Sequence, residues 1–153
     1  MKKRIISLIL VLALCLSLLP TVFAADALNG TKGIVITSSN MEDTTWSDGN
    51  GGTATWTRSD QTLTLKNYNV ETNGTPALTA SCGMFFDLKG TNSFTSKNSA
   101  KGAIDLTSAT SPVSLNVGGY KNSSGSGTGT LTVDGSDNAA IYGFNRYNTF
   151  RVN

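Results

Sequence analysis

The stretch "GTGTLTVDGSDNAAIYG", Gly127 to Gly143, decides how the rest of the chain is read. Leu131 and Val133 alternate with threonines, which is the period of a half-buried strand. The strand runs into Asp134-Gly135-Ser136-Asp137-Asn138, and a small apolar step follows at Ala139, Ala140 and Ile141. Three readings compete for it: a calcium loop, a plain turn between strands, or one rung of a larger repeat.

The remainder of the chain favours the repeat. Four further strands share the same shape, apolar at alternate positions with Gly, Asn or Asp at the exit: "TLTLKN" (Thr62–Asn67), "MFFDLKG" (Met84–Gly90), "VSLNVGG" (Val113–Gly119) and "TFRVN" (Thr149–Asn153). Their inward pairs are Leu63/Leu65, Phe86/Leu88, Leu115/Val117 and Phe150/Val152, beside Leu131/Val133. Between strands falls a small residue before an aliphatic one, at Ala77-Leu78, Ala103-Ile104 and Ala140-Ile141. Repeats of this kind build solenoids, whose equivalent positions stack into interior ladders. Asn73-Gly74 and Gly118-Gly119 suit corners that need a positive φ. The expected fold is all-β, a parallel β-helix over 53–153, with 25–52 as its N-terminal cap. A β-sandwich is the alternative.

The N-terminus reads as a targeting segment. Met1-Lys2-Lys3-Arg4 precedes an apolar run from Ile5 to Leu19 and a break at Pro20 to Ala24. This is the layout of a secretory signal peptide over residues 1–24, and the run is shorter than the ~20 residues of a membrane span. The mature chain is therefore expected outside the cell or on its surface. Removal of Lys2, Lys3 and Arg4 from 12 basic residues leaves nine against 10 acidic ones, a formal charge of −1. No basic patch remains to hold nucleic-acid phosphates.

Cysteine and histidine content narrows the chemistry further. Cys15 leaves with the signal, so Cys82 alone cannot form an intramolecular disulfide. The chain contains no histidine, which excludes Ser-His-Asp and Cys-His catalysis and the commonest zinc sites. Thr, Ser, Asn and Gly dominate the mature segment and suit strands joined by tight turns.

Several of the quoted stretches resemble a known family. "WTRSDQTLTLKNYNVET" (Trp56–Thr72), "ALTASCGMFFDLKGTNSFTS" (Ala77–Ser96), "GTGTLTVDG" and "AAIYG" are similar to right-handed parallel β-helix proteins called carbohydrate-binding domain proteins. Clostridia and related anaerobes secrete or display them. The resemblance covers most of 53–153, and "TLTLKNYN", "LKGTNSFT" and "GTLTV" are its most specific pieces. It implies calcium-stabilised solenoids that bind plant cell-wall polysaccharides, such as cellulose and acidic pectic sugars, without cleavage. Members run several rungs further than Asn153, so a truncated solenoid is expected here, with end-to-end self-association at the uncapped C-terminal rung.

The candidate sites follow from residue chemistry. Trp46, Trp56 and Tyr68 carry flat faces suited to stacking on a pyranose ring, or else they cover the first rung's core. Asp134, Asp137 and Asp48 lie in Gly/Asn-rich turns whose oxygens suit Ca²⁺. These turns lack the spacing and the bidentate Glu of an EF-hand, so a structural corner is the competing reading. Asp87 and Asp105 alternate with apolar residues and are expected to point outward into solvent. A lyase or hydrolase would need a basic group near bound Ca²⁺, drawn from Arg58, Arg146 and Arg151, or carboxylates paired among Asp87, Asp105 and Asp134. The expected function is non-catalytic polysaccharide binding. The alternatives are a fragment of a pectate-lyase-like enzyme and a structural stalk or adhesin.

Overall fold

The alternation seen in the sequence becomes strands. The computed structural model describes residues 32–109 and 129–143, and the backbone alone of the strands at 26–27, 114–117 and 149–152. The expected signal segment, the Gly118–Gly119 corner, and Phe144, Arg146 and Tyr147 lie outside the described residues, as do the side chains at 114–117 and 149–152. Among the described residues there is no helix.

The strands are β1 (Asp26–Ala27), β2 (Ile34–Ile36), β3 (Thr44–Ser47), β4 (Thr53–Thr57), β5 (Thr62–Lys66), β6 (Asn69–Asn73) and β7 (Leu78–Ala80). They continue as β8 (Met84–Lys89), β9 (Thr91–Lys97), β10 (Ile104–Asp105), β11 (Ser114–Val117), β12 (Thr130–Asp134), β13 (Ile141–Tyr142) and β14 (Thr149–Val152). They form a seven-stranded sheet in the order β1-β3-β4-β5-β8-β11-β14, a four-stranded sheet β13-β10-β7-β2 and a three-stranded sheet β12-β9-β6. From β5 onward the chain visits the seven-, three- and four-stranded sheets in that order three times, and β14 returns it to the first.

Every strand pairing between successive visits is parallel. The seven-stranded sheet is mixed, because β3 pairs antiparallel with β4, and β4 with β5. Thr53–Thr57, read from its pattern as the start of the rungs, is thus the second arm of a hairpin laid against the first parallel strand.

Register places like residues on like. Trp56 lies opposite Leu63, Leu63 opposite Phe86, and Phe86 opposite Val117. In the three-stranded sheet Val70, Phe94 and Val133 align, and in the four-stranded sheet Ile34, Leu78, Ile104 and Ile141 do. The inward pairs Leu63/Leu65 and Phe86/Leu88 and the steps Ala77-Leu78 and Ala103-Ile104 are buried, as their sequence phase predicts. Leu131, Val133 and Ile141 are only partly buried against this core. Full burial of a Leu or Phe side chain contributes about 1.5–3 kcal/mol, so these ladders carry most of the drive to fold.

The corners are built by residues that tolerate a left-handed backbone. Between the seven- and three-stranded sheets stand Asn67 (φ 49°) and, one turn later, Gly90 (φ 71°). Such a corner also needs its inward polar groups satisfied. Asn92 is fully buried there. Its Oδ1 accepts the Tyr68 N–H at 2.8 Å, and its Nδ2 donates to the carbonyl of Thr130 at 3.0 Å and, more weakly, to those of Gly90 and Lys89. One side chain thereby joins three successive turns of the chain.

Candidate functional site

The three candidate sugar-stacking rings have different fates. Trp56 is fully buried, because it occupies the inward phase of β4, and its Nε1 donates to the Met41 carbonyl at 3.0 Å. Tyr68 is fully buried at the first corner and meets Phe94 edge-on, with ring centroids 6.3 Å apart at 79°. Burial, with a lesser contribution from the Asp48 charge, pushes its phenol up to about 12. Neither ring offers a face to a ligand, so the sugar-stacking expectation is corrected for both: they belong to the core. The alternation Thr-Ala-Thr-Trp-Thr of β4 already carried that signal for Trp56.

Trp46 is placed differently. It is half-buried on β3, opposite Ala54 on one side and Asp26 on the other. With Lys32, Gly33, Val35, Thr75, Pro76 and Thr79 it lines an open cleft of about 420 Å³. Val35 points outward from β2 and is 50% exposed. An indole, an aliphatic side chain and a proline form apolar walls, while Lys32 and two threonines supply polar groups. A concave, largely apolar site with a few convergent polar groups is the usual form of a small-ligand site. An aromatic face beside hydroxyls and a cation suits a sugar ring, which has one apolar face and a polar rim. Lys32, Val35 and Pro76 carried no motif that could have singled them out in the sequence.

The three candidate metal residues do not converge. Asp48 sits at the tip of the β3–β4 hairpin, where its Oδ1 accepts the N–H groups of Asn50 and Gly52, each at 2.8 Å. Its Oδ2 accepts the N–H of Asn69 at 3.1 Å. Burial opposes ionisation of this carboxyl, yet those backbone N–H groups outweigh it and hold the pKa below its ordinary value. Asp134 turns back on its own loop, accepting the Ser136 N–H at 2.7 Å. Asp137 is exposed on the same turn. Among the described residues no three His, Cys, Asp or Glu side chains gather as a metal cluster. Asp48 and Asp134 give carboxylate oxygens to backbone donors, as residues of structural turns do.

The carboxylates proposed as a catalytic pair are also dispersed. Asp87 lies on β8, Asp105 on β10 and Asp134 on β12, on three different sheets. Asp87 is half-buried on the outward phase, 3.4 Å from the Lys89 ammonium. Asp105 departs from its expected solvation. It holds an outward register position, opposite Thr79 and Tyr142, but is only 2% exposed. Its oxygens accept the N–H and hydroxyl of Thr107, at 2.8 and 2.6 Å, and the Lys101 ammonium at 3.1 Å. Burial raises its pKa and these contacts lower it, with a net result below the ordinary value. Arg58 is engaged by Glu42 at 2.8 Å on the surface. Cys82 is half-buried, and desolvation pushes its thiol up, away from the reactive thiolate.

The remaining polar surface is the outer face of the three-stranded sheet. Asn69, Ser93 and Thr132 align across it, then Glu71, Thr95 and Asp134, with Thr91 opposite Thr130 and Asn73 opposite Lys97 at the ends. All of these positions are exposed or half-buried, and none is apolar. A scan of family models, curated proteins and solved structures finds no match to this chain.

Proposed function

We propose that the chain is a parallel β-helix that holds polysaccharide at the cell exterior without cleaving it. Support for the coil comes from three sheets visited in a fixed order, with parallel partners one turn apart. An antiparallel sandwich would instead make neighbours of strands joined by hairpins. Parallel crossovers are right-handed in nearly all proteins, which gives the hand of the coil. The export segment read at residues 1–24 supplies the location.

The observation that carries the binding role is the cleft of Trp46. It is the place among the described residues where an aromatic face, an exposed aliphatic side chain and a cation line one open concavity. The side chains brought together supply walls and hydrogen bonds. No paired carboxylates face one another there, which favours binding over hydrolysis. Glucans and acidic pectic sugars are both chemically suited, the latter through Lys32.

Affinity electrophoresis of the mature chain in cellulose-derivative, xylan and pectin gels tests the reading. Retardation is expected in at least one gel, with most of it lost in Trp46→Ala. Unretarded migration in every gel overturns it. Absence of unsaturated or reducing ends after prolonged incubation separates binding from lyase or hydrolase action.

A further inference from the structure

The tip of the β3–β4 hairpin is closed by its own polar groups. The Asp48 N–H donates to the Gly52 carbonyl at 3.1 Å, and the Gly49 N–H to Ser47 Oγ at 3.1 Å. The N–H groups of Asn50 and Gly52 both donate to Asp48 Oδ1, each at 2.8 Å. Gly51 is the exception, for its N–H makes no hydrogen bond among the described residues. The Asn50 side chain beside it is exposed and likewise makes none there. Gly51 has no side chain to shield its nitrogen, and the space where a Cβ would stand is open. Asparagine is a thermolabile residue. Its carboxamide is attacked by the next backbone nitrogen where both groups are unengaged and that next residue is glycine.

A second pair of the same type supplies the comparison. The chain carries Asn-Gly at Asn29-Gly30, Asn50-Gly51 and Asn73-Gly74, of which the first lies outside the described residues. Asn73 and Gly74 are exposed as well, so exposure does not separate the two described pairs. Hydrogen bonding does. The Gly74 N–H donates to the Lys97 carbonyl at 2.8 Å, and Asn73 Oδ1 accepts the Asn98 side-chain amide at 2.9 Å. Attacking nitrogen and carboxamide are therefore both held at Asn73, and neither is held at Asn50.

We propose that Asn50 is a site of spontaneous modification, and that its reaction releases the hold of Asp48 on the hairpin tip and on β6. The backbone nitrogen of Gly51 gives up its proton to solvent and attacks Cγ of Asn50. The new N–Cγ bond closes a succinimide, and the side-chain nitrogen takes a proton and leaves as ammonia. Water then opens the ring at either carbonyl, which leaves Asp or isoAsp at position 50 with no change of oxidation state. Both products set a carboxylate beside that of Asp48. IsoAsp also inserts a methylene into the main chain between the N–H groups of residues 50 and 52, which Asp48 Oδ1 holds together. The same carboxylate accepts the Asn69 N–H at 3.1 Å, so a change at the tip reaches the edge of the three-stranded sheet.

Peptide mapping by mass spectrometry, after incubation of the mature chain in mildly alkaline buffer, tests the reaction. Asn50 should convert about tenfold faster than Asn73, the factor that one or two protecting hydrogen bonds supply. An Asn50 that stays intact overturns the assignment, as does conversion of Asn73 at an equal or higher rate. The consequence is read from urea unfolding of the same samples. The parent's midpoint should fall in step with conversion, while that of Asn50→Gln, whose longer side chain cannot close the five-membered ring, should hold. In Asp48→Asn the fall should be smaller, because the staple is already weakened and no carboxylate at position 48 repels the new one. A converted parent with its original midpoint shows that the staple survives and overturns its release. An equal fall in Asn50→Gln or in Asp48→Asn assigns the damage to other residues and overturns it too.

Discussion

The carboxylate of Asp48 accepts the backbone N–H of Asn69 at 3.1 Å, across 21 residues of sequence. That bond joins the tip of the β3–β4 hairpin to the first residue of β6, at the edge of the three-stranded sheet. An edge strand presents unpaired N–H groups, and here a side chain from the hairpin supplies the acceptor that a further strand would give. Asp48 also closes its own loop through Asn50 and Gly52. The residue that the sequence marks as a metal candidate is a staple between two parts of the fold.

The pH dependence of stability follows from this contact. The Asp48 and Asp105 carboxyls are both held below the ordinary value of 3.8 in the folded chain, despite burial that acts the other way. A depressed folded pKa contributes stability above the unfolded value, and that contribution is lost as pH falls through the folded one. The denaturant midpoint should therefore drop as pH is lowered past 3.8. Asp48→Asn and Asp105→Asn should lower stability at neutral pH and flatten the acid limb, as measured by fluorescence-monitored urea unfolding across that range.

The corner asparagine gives a second prediction. Asn92→Leu keeps approximate volume but strips the Tyr68 N–H of its acceptor and the Thr130 carbonyl of its donor. Leaving a buried polar group unsatisfied costs about 1–3 kcal/mol each. The expected loss is about 2–4 kcal/mol in unfolding free energy. A midpoint unchanged from the parent would show that the corner does not depend on this side chain.

Core ladders predict unequal costs along one row. Phe94 is fully buried and meets Tyr68 edge-on, while Val133, in register one strand further, is partly buried. Phe94→Ala should cost about 3–5 kcal/mol, in the range for a buried aromatic. Val133→Ala should cost well under half as much. Equilibrium denaturation of the two variants, compared at equal slope, decides whether the interior is graded in this way.

Tyr68 predicts the alkaline behaviour. Its folded pKa of about 12 lies above the ordinary 10.0, so the neutral phenol is favoured by folding. A raised folded pKa contributes stability below the unfolded value, and that stability is lost as pH climbs from 10 toward 12. Ultraviolet titration of tyrosinate should show one phenol ionising last, together with unfolding. In Tyr68→Phe that late step should vanish. The variant should also fold well, because the buried Tyr68 hydroxyl has no hydrogen-bond partner among the described residues.

Much of the architecture was legible because it depends on period-two alternation. Leu63, Leu65, Phe86 and Leu88 announce their inward phase without reference to any distant residue, and Ala77-Leu78 and Ala103-Ile104 mark the second buried element in the same way. Asn67 and Gly90 are readable as corners because few other residues accept a positive φ. Asp105 was not legible. Its phase is outward, and its oxygens are taken up by Lys101 and Thr107 from the flanking segments. Asn92 reads as a surface polar residue until three turns of chain close around it.

The sequence by itself determined the all-β class and the inward phase of Leu63/Leu65, Phe86/Leu88 and the Ala77-Leu78 and Ala103-Ile104 steps, because these are local properties of alternating side chains. Tertiary structure alone decided which aromatic stays open. Trp46 and Trp56 sit on adjacent arms of one hairpin, but only Trp56 stands directly opposite a strand of the stacked core. Trp46 lies one strand further out, where Val35 of the four-stranded sheet and Pro76 and Lys32 of the connecting segments make a cleft instead of a lid. Which neighbours a side chain meets is set by strand register between distant segments, and no local pattern encodes it.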